Sequence, residues 1–208
     1  MSAALALTSA PSIRHGSPPD LRDARWRRFR LLMVPGWHGS GEQHWQTRWQ
    51  SLQPAIARVE QDDWERPDPG SWVARLDAEV RASAQPVVLI AHSLGCITVA
   101  HWVRETGGRG VAAALLVAPA DVERTLVAPE LRGFAPVPEE QLPFATRVVA
   151  SDDDPCCTLT RAGHFASTWG ADLVAIPSGG HLNARSQLGD WPTGQLLLHD
   201  LVWRRRAG

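Results

Sequence analysis

The chain has 208 residues, of which 44% are hydrophobic and 21% are charged, and its net charge is -1. This length and composition suit one globular domain with a sizeable core, and the near-neutral charge gives no reason to expect a nucleic-acid partner. No apolar run approaches the roughly 20 residues of a membrane span. The three cysteines, Cys96, Cys156 and Cys157, are a poor basis for a disulfide framework, which favours a reducing cytoplasm.

The first 28 residues differ in character from the rest of the chain. Ser, Pro and Ala dominate the beginning, and the first ten residues carry no charge, so the basic region of a signal peptide is missing. We therefore predict a disordered N-terminal arm over residues 1–28 and a single domain over residues 29–208.

From residue 30 onward, strand-like and helix-like segments alternate. The strand-like segments are residues 30–34, 57–59, 87–90, 112–117, 147–150 and 173–176, and the helix-like segments are 42–52, 71–84, 94–105, 159–169 and 193–205. Residues 119–143 contain five prolines and are predicted to be irregular. Such alternation predicts a compact α/β domain with a mostly parallel sheet, helices on both faces and no large lid.

The most informative stretch follows the apolar run at residues 86–90. Ser93 lies between small residues in the sequence Ala91-His92-Ser93-Leu94-Gly95, and a helix-like segment begins at once. This is the nucleophile-elbow pattern G-x-S-x-G with Ala91 in place of the first glycine. The tight strand-to-helix turn that it implies exposes Ser93 Oγ beside the free N–H groups of the helix.

An aspartate and a histidine each follow a later strand, where ligands bind in parallel α/β sheets. Asp154 is the preferred acid because Pro155 favours an extended backbone at the preceding residue, with Asp153 next and Asp152 last. His181 lies in the Gly-rich loop after the final predicted strand. The order Ser, Asp, His is that of α/β-hydrolases. In this scheme the histidine takes the serine proton and the aspartate orients the histidine.

An oxyanion hole needs two converging donors. The backbone N–H of Leu94 is one candidate, and the N–H of Trp37, in the glycine-rich loop at residues 35–41, is the other. That loop is not followed by Gly-Lys-Ser/Thr and lacks G-x-G-x-x-G spacing, so a phosphate cradle is disfavoured.

Several separated motifs together resemble the small serine hydrolase family, which includes YdeN-like bacterial proteins and is related to retinoblastoma-binding protein nine. The motifs are Val34-Pro35-Gly36-Trp37-His38-Gly39-Ser40, His44-Trp45-Gln46, His92-Ser93-Leu94-Gly95, Gly179-Gly180-His181-Leu182-Asn183 and Trp191-Pro192. The resemblance implies a lidless α/β-hydrolase fold and a triad at Ser93, His181 and Asp154. It implies no particular substrate. The pair Cys156-Cys157 departs from the pattern, which more often has an aromatic or apolar residue there.

The other histidines near the proposed site and the paired cysteines have less specific signals. His38 and His44 lie near the proposed site and could contact substrate, although a solvent-facing loop and a packing role, respectively, are alternatives. His92 is predicted to point to the opposite side of the elbow in a structural role. Cys156 and Cys157 are expected to be buried and inert, because no metal-ligand spacing accompanies them. We expect no cofactor and no metal.

Together these features predict a cofactor-free serine hydrolase that cleaves a small ester, thioester or amide through an acyl-enzyme. The expected partner is a small-molecule acyl substrate, with no nucleic acid and no membrane. Two alternatives stay open. One is a binding module on the same fold that works through a protein partner, for which the ten tryptophans are weak support. The other is an acyltransferase that uses the same triad.

Overall fold

The computed structural model describes residues 20–203 and contains one six-stranded, fully parallel sheet. The strands lie in the order β2-β1-β3-β4-β5-β6. Their bounds are Arg30–Val34 (β1), Ala57–Arg58 (β2), Val87–His92 (β3), Val111–Val117 (β4), Ala145–Ser151 (β5) and Asp172–Ile176 (β6). Because all strands run the same way, their carboxyl ends share one edge of the sheet.

Five α-helices connect or follow the strands. They are Trp45–Leu52 (α1), Pro69–Arg81 (α2), Leu94–Thr106 (α3), Leu159–Trp169 (α4) and Pro192–Trp203 (α5). Helices α2, α3 and α4 bury their apolar side chains against one face of the sheet, and α1 and α5 bury theirs against the other. The predicted arrangement of helices on both faces is confirmed.

Alternate residues of the central strands fill the two cores. On β3, Val87, Leu89 and Ala91 belong to the core under α2–α4, whereas Val88 and Ile90 belong to the core under α1 and α5. Successive strand side chains point to opposite faces, so a strand covered on both sides is apolar throughout. This explains why the β3 sequence lacks polar-apolar alternation.

The N-terminal boundary differs from the prediction. Residues Ala24–Arg28 form a 3₁₀ helix that Asp23 caps, and the side chains of Leu21 and Trp26 are only 2% and 4% exposed. Trp26 packs edge-on against Trp203 of α5, at 4.2 Å between ring centroids. The predicted disordered arm is therefore wrong for residues 20–28, because two large apolar side chains anchor them. Residues 1–19 of that arm lie outside the described residues.

Helix starts are the other main difference. Helix α2 begins at Pro69, two residues earlier than predicted, and Asp68 is its N-cap, since the Asp68 carboxylate accepts a hydrogen bond from the Ser71 N–H. Helix α1 begins three residues later than predicted, at Trp45. The irregular 119–143 segment contains one 3₁₀ helix, Pro129–Phe134. The last two residues of the predicted C-terminal helix, 204 and 205, lie outside the described part of the chain.

Candidate active site

The turn between β3 and α3 forces Ser93 into an uncommon backbone conformation. Its φ and ψ are 54° and -121°, in a region that non-glycine residues rarely occupy. The turn is possible because Gly95 has no side chain: a Cβ there would overlap the Val34 carbonyl and lie 2.7 Å from the Pro35 oxygen. The turn places Ser93 Oγ at the carboxyl edge of the sheet, next to the loops that follow β5 and β6.

Those two loops bring Asp154 and His181 to Ser93. His181 Nε2 lies 2.9 Å from Ser93 Oγ, and His181 Nδ1 lies 2.9 Å from each carboxylate oxygen of Asp154. The Asp154 side chain is 1% exposed and that of His181 is 11% exposed. The structure therefore brings together the three residues that the sequence analysis favoured, in hydrogen-bonding geometry suited to proton transfer.

The surroundings of His181 favour its protonated form. Burial by itself would lower the pKa of His181, but the hydrogen bond and charge of Asp154, together with the neighbouring Cys156, outweigh burial and raise this pKa to about 9. Asp154 thus stabilises the imidazolium that forms when the histidine takes a proton.

The two aspartates that were not preferred have a different task. Asp152 accepts a hydrogen bond from the Ser178 N–H at 2.8 Å, and Asp153 accepts one from the Gly180 N–H at 2.7 Å. Both carboxylates therefore fix the loop that carries His181.

Two side chains hold that loop from its other side. The Nε2–H of His92 donates to the His181 carbonyl oxygen at 3.0 Å, and the Trp45 indole donates to the Leu182 carbonyl oxygen at 2.9 Å. Burial lowers the pKa of His92 well below its usual value, so its ring is neutral. The prediction that His92 points away from the site is wrong, since its ring lies 5.0 Å from that of His181.

The loop after β1 approaches the elbow closely. A Cβ on Gly36 would lie 2.8 Å from Ser93 Cβ and 3.1 Å from the Leu94 nitrogen, so only glycine fits. Within the described residues, no group accepts a hydrogen bond from the backbone N–H of Trp37 or of Leu94. Trp37 lines the same cleft as Ser93, and Leu94 directly follows Ser93 in the chain; their role as oxyanion-hole donors stays a prediction.

Two histidines in or near the loop after β1 differ in burial: His44 is buried, and His38 is exposed. The Nδ1 atom of His44 accepts a hydrogen bond from the Gln46 N–H and caps α1, which leaves the ring proton on Nε2. Burial and the positive charges of nearby Arg58 and His181 lower the pKa of His44 to about 3. Its Nε2 is buried and has no partner among the described residues. The His38 side chain is about half exposed, with Nδ1 3.1 Å from Glu65 Oε2.

These groups line a cleft of about 290 Å³ that is open to solvent. Its walls include Trp37, His38, His44 and His92 around Ser93 and His181, and Asn183, Ala184 and Arg185 form another part of the rim. The volume lies at the lower limit of typical small-molecule sites. A larger cleft of about 700 Å³ lies near the amino ends of β3 and β4, but no histidine or cysteine lines it.

The cysteines do not all behave as expected. All three are free, and Cys96 and Cys157 are buried. Cys156 is only half-buried, and its Sγ, an Asp154 carboxylate oxygen and a His181 ring nitrogen all lie within 4.8 Å of one another. Sequence spacing could not indicate this donor cluster, because His181 is 25 positions away in the chain and belongs to another loop.

The parallel sheet, with the hydrogen-bonded side chains Ser93, Asp154 and His181 after β3, β5 and β6, matches an α/β-hydrolase fold. The family described as Serine hydrolase matches residues 31–200. The chain therefore belongs to the serine hydrolase family, whose class of activity is hydrolysis. No helix among the described residues is long and apolar enough to cross a membrane.

Solved structures agree with this assignment. A putative YdeN-like hydrolase from Pectobacterium atrosepticum is 32% identical, with 85% of this chain and 91% of that chain covered and a TM-score of 0.76. The ydeN gene product of B. subtilis is 16% identical, covers 83% and 97% of the two chains and has a TM-score of 0.65. Est1E from Butyrivibrio proteoclasticus shares the fold at 13% identity, 82% and 87% coverage and a TM-score of 0.60. A comparison with curated protein sequences gives no significant match.

Proposed function

We propose that this protein hydrolyses a small ester, thioester or amide through an acyl-enzyme on Ser93. The observation that carries the proposal is the unbroken chain of hydrogen bonds from Ser93 Oγ through His181 to Asp154, at 2.9 Å for each contact. A serine hydroxyl needs such a base to act as a nucleophile at neutral pH.

The proposed reaction has two halves. Ser93 Oγ attacks the acyl carbon while its proton moves to His181 Nε2, and the oxyanion accepts hydrogen bonds from the backbone N–H groups of Trp37 and Leu94. His181 then donates the proton to the departing alcohol, thiol or amine. Water attacks the acyl-enzyme by the same route in reverse, which releases the acid and regenerates Ser93.

Substrate contacts are assigned to the cleft walls. The Nε2–H of His44 is a buried donor that has no partner in residues 20–203, a state that costs about 1–3 kcal/mol. We propose that a substrate oxygen accepts this hydrogen bond and that His38, on the exposed rim, contacts the part of the substrate that leaves the cleft. The small cleft favours short acyl groups over long chains. The three free cysteines support a reducing cytoplasm as the place of action.

A fluorophosphonate probe tests the nucleophile without a known substrate. We expect intact mass to show one probe adduct on the wild type and none on Ser93→Ala. Ser167→Ala, which changes an exposed serine of α4, is the matched control and should be labelled like the wild type. A folded wild-type protein that takes up no probe, or a Ser93→Ala variant that is labelled fully, would contradict the proposal.

The alternatives are less well supported. A large exposed apolar patch would favour a protein-binding module. Among the described residues, however, Leu126 is the one large hydrophobic side chain that is exposed, at 89%. An acyltransferase would use the same triad with a different acceptor. Once a substrate is found, addition of alcohols followed by product analysis separates acyl transfer from hydrolysis.

A further inference from the structure

The function proposed above leaves one reactive side chain unused beside the triad. Cys156 follows Asp154 by two positions, and its Sγ lies within 4.8 Å of both an Asp154 oxygen and a His181 ring nitrogen. The nitrogen that faces Asp154 is Nδ1. A carboxylate, a thiol and an imidazole therefore converge on one point from two different loops.

The three donors are held in place before any ligand arrives. The Cys156 N–H donates to Asp154 Oδ1 at 2.7 Å, so the backbone turn fixes the spacing of the carboxylate and the thiol. His181 is fixed by the carbonyl contacts of its loop with His92 and Trp45. The proximity of Cys156 also contributes to the raised pKa of His181, which agrees with direct contact between the two side chains.

The donor chemistry selects a class of ligand. Zn²⁺ and related borderline-soft divalent cations bind thiolate, imidazole and carboxylate groups, and three protein ligands leave one position for water. Cys156 is the most accessible cysteine of the described residues, since Cys96 and Cys157 are buried. A cation can therefore reach the thiol from the solvent side, whereas hard cations such as Mg²⁺ prefer sites made only of oxygen ligands.

We propose that Asp154, Cys156 and His181 bind one thiophilic divalent cation of the Zn²⁺ class, and that the bound cation inactivates Ser93. On binding, the thiol and Nδ1 each release a proton to solvent, so the cation is held by a thiolate, a carboxylate and a neutral imidazole. The remaining imidazole proton is then on Nε2, facing Ser93 Oγ. An Nε2 that carries a proton cannot accept the serine proton, and the nucleophile stays inactive.

Binding is tested first, without reference to activity. The reduced, metal-free protein is titrated with Co²⁺, whose thiolate complexes show charge-transfer absorption that oxygen and nitrogen ligands alone do not give. We expect this absorption in the wild type and in inactive Ser93→Ala, and we expect it to be absent in Cys156→Ser. Cys157→Ser is the matched control and should keep it. No thiolate absorption in the wild type, or its loss in Cys157→Ser instead, would overturn the site.

Inactivation is tested separately and rests on the proposed function. We expect Zn²⁺ to slow fluorophosphonate labelling of Ser93, reversibly on addition of a chelator. Loss of outer-shell partners of metal ligands costs about 10–100-fold in affinity, so loss of a direct ligand in Cys156→Ser should raise the half-inhibiting Zn²⁺ concentration by at least about tenfold. An equal Zn²⁺ response in the variant and the wild type would refute the inhibitory role. Co²⁺ absorption without any labelling would instead contradict the proposed serine chemistry and leave the metal site standing.

Discussion

The pH dependence of Ser93 reactivity follows directly from the contacts of His181. Its pKa is raised from 6.5 to about 9, because Asp154 and Cys156 together outweigh the effect of burial. Only the neutral imidazole can accept the serine proton. At pH 7 a group with a pKa near 9 is neutral in about 1% of molecules, whereas an ordinary histidine is neutral in about three quarters of them.

The rate constant for fluorophosphonate labelling measures this fraction. We expect it to rise about tenfold per pH unit between pH 6 and 8 and to level off above about pH 9. Probe hydrolysis in buffer and labelling of Ser93→Ala supply the background at each pH, and circular dichroism confirms that the protein stays folded. An acid limb with its midpoint at pH 6–7 would refute the conclusion that Asp154 and Cys156 affect the pKa of His181 more strongly than burial does.

A matched pair of variants separates the two causes of the raised pKa. Cys156→Ser removes one neighbour that raises the pKa of His181 and leaves Asp154 in place, so the midpoint of the acid limb should move to lower pH. Cys157→Ser changes the adjacent buried thiol and should leave the midpoint where it is in the wild type.

Three further predictions concern stability and positioning. Gly95→Ala should destabilise the protein by about 3 kcal/mol in urea unfolding, at the upper end for overpacking, because its Cβ would overlap backbone. Gly41→Ala, with open space around it, should change little. Asp153→Ala should slow labelling about tenfold or more, through loss of its bond to the Gly180 N–H, with the pH midpoint unchanged. The pKa of His181 is higher in the folded protein than in the unfolded chain, so its protonation stabilises the fold fully below pH 6.5, and this stabilisation is lost as the pH rises from 6.5 to 9. The free energy of unfolding should fall by about 3 kcal/mol over this range in the wild type. His181→Gln should not show this fall.

The hydrogen-bonded group of Ser93, Asp154 and His181 could be predicted because each of its members has a local signal. The elbow at Ser93 needs small neighbours within two positions, and Asp154 and His181 lie in the loops that follow two apolar strands. In a parallel sheet, residues after strands converge on one edge whatever their separation along the chain. The parallel sheet and the helices on both of its faces follow from the alternation of strands and helices, and most element ends were predictable to within a few residues. The strand order was not predicted, because alternation alone is compatible with several orders.

The N-terminal boundary was not predictable because its signal depends on a distant partner. The segment around Trp26 reads as a basic, Arg-rich arm, and nothing local distinguishes its tryptophan from an exposed one. Its burial depends on Trp203, which is 177 positions away on α5. A large apolar side chain such as that of Trp26 fixes a segment only by packing against an apolar surface elsewhere in the fold. That surface forms only when the chain folds, so the local sequence does not reveal it.

The supports of His181 show the same limitation at the site itself. Three alternate positions of the loop have positive φ, a conformation that favours glycine: Gly180 is a glycine, but Ser178 and Leu182 are not. Such a loop keeps its shape only where its surroundings over-determine it. Asp152 and Asp153 supply acceptors from one side, and the donors on Trp45 and His92 act from the other. These partners come from three separate segments, so local sequence patterns indicate His181 as the candidate base but not the contacts that orient its loop.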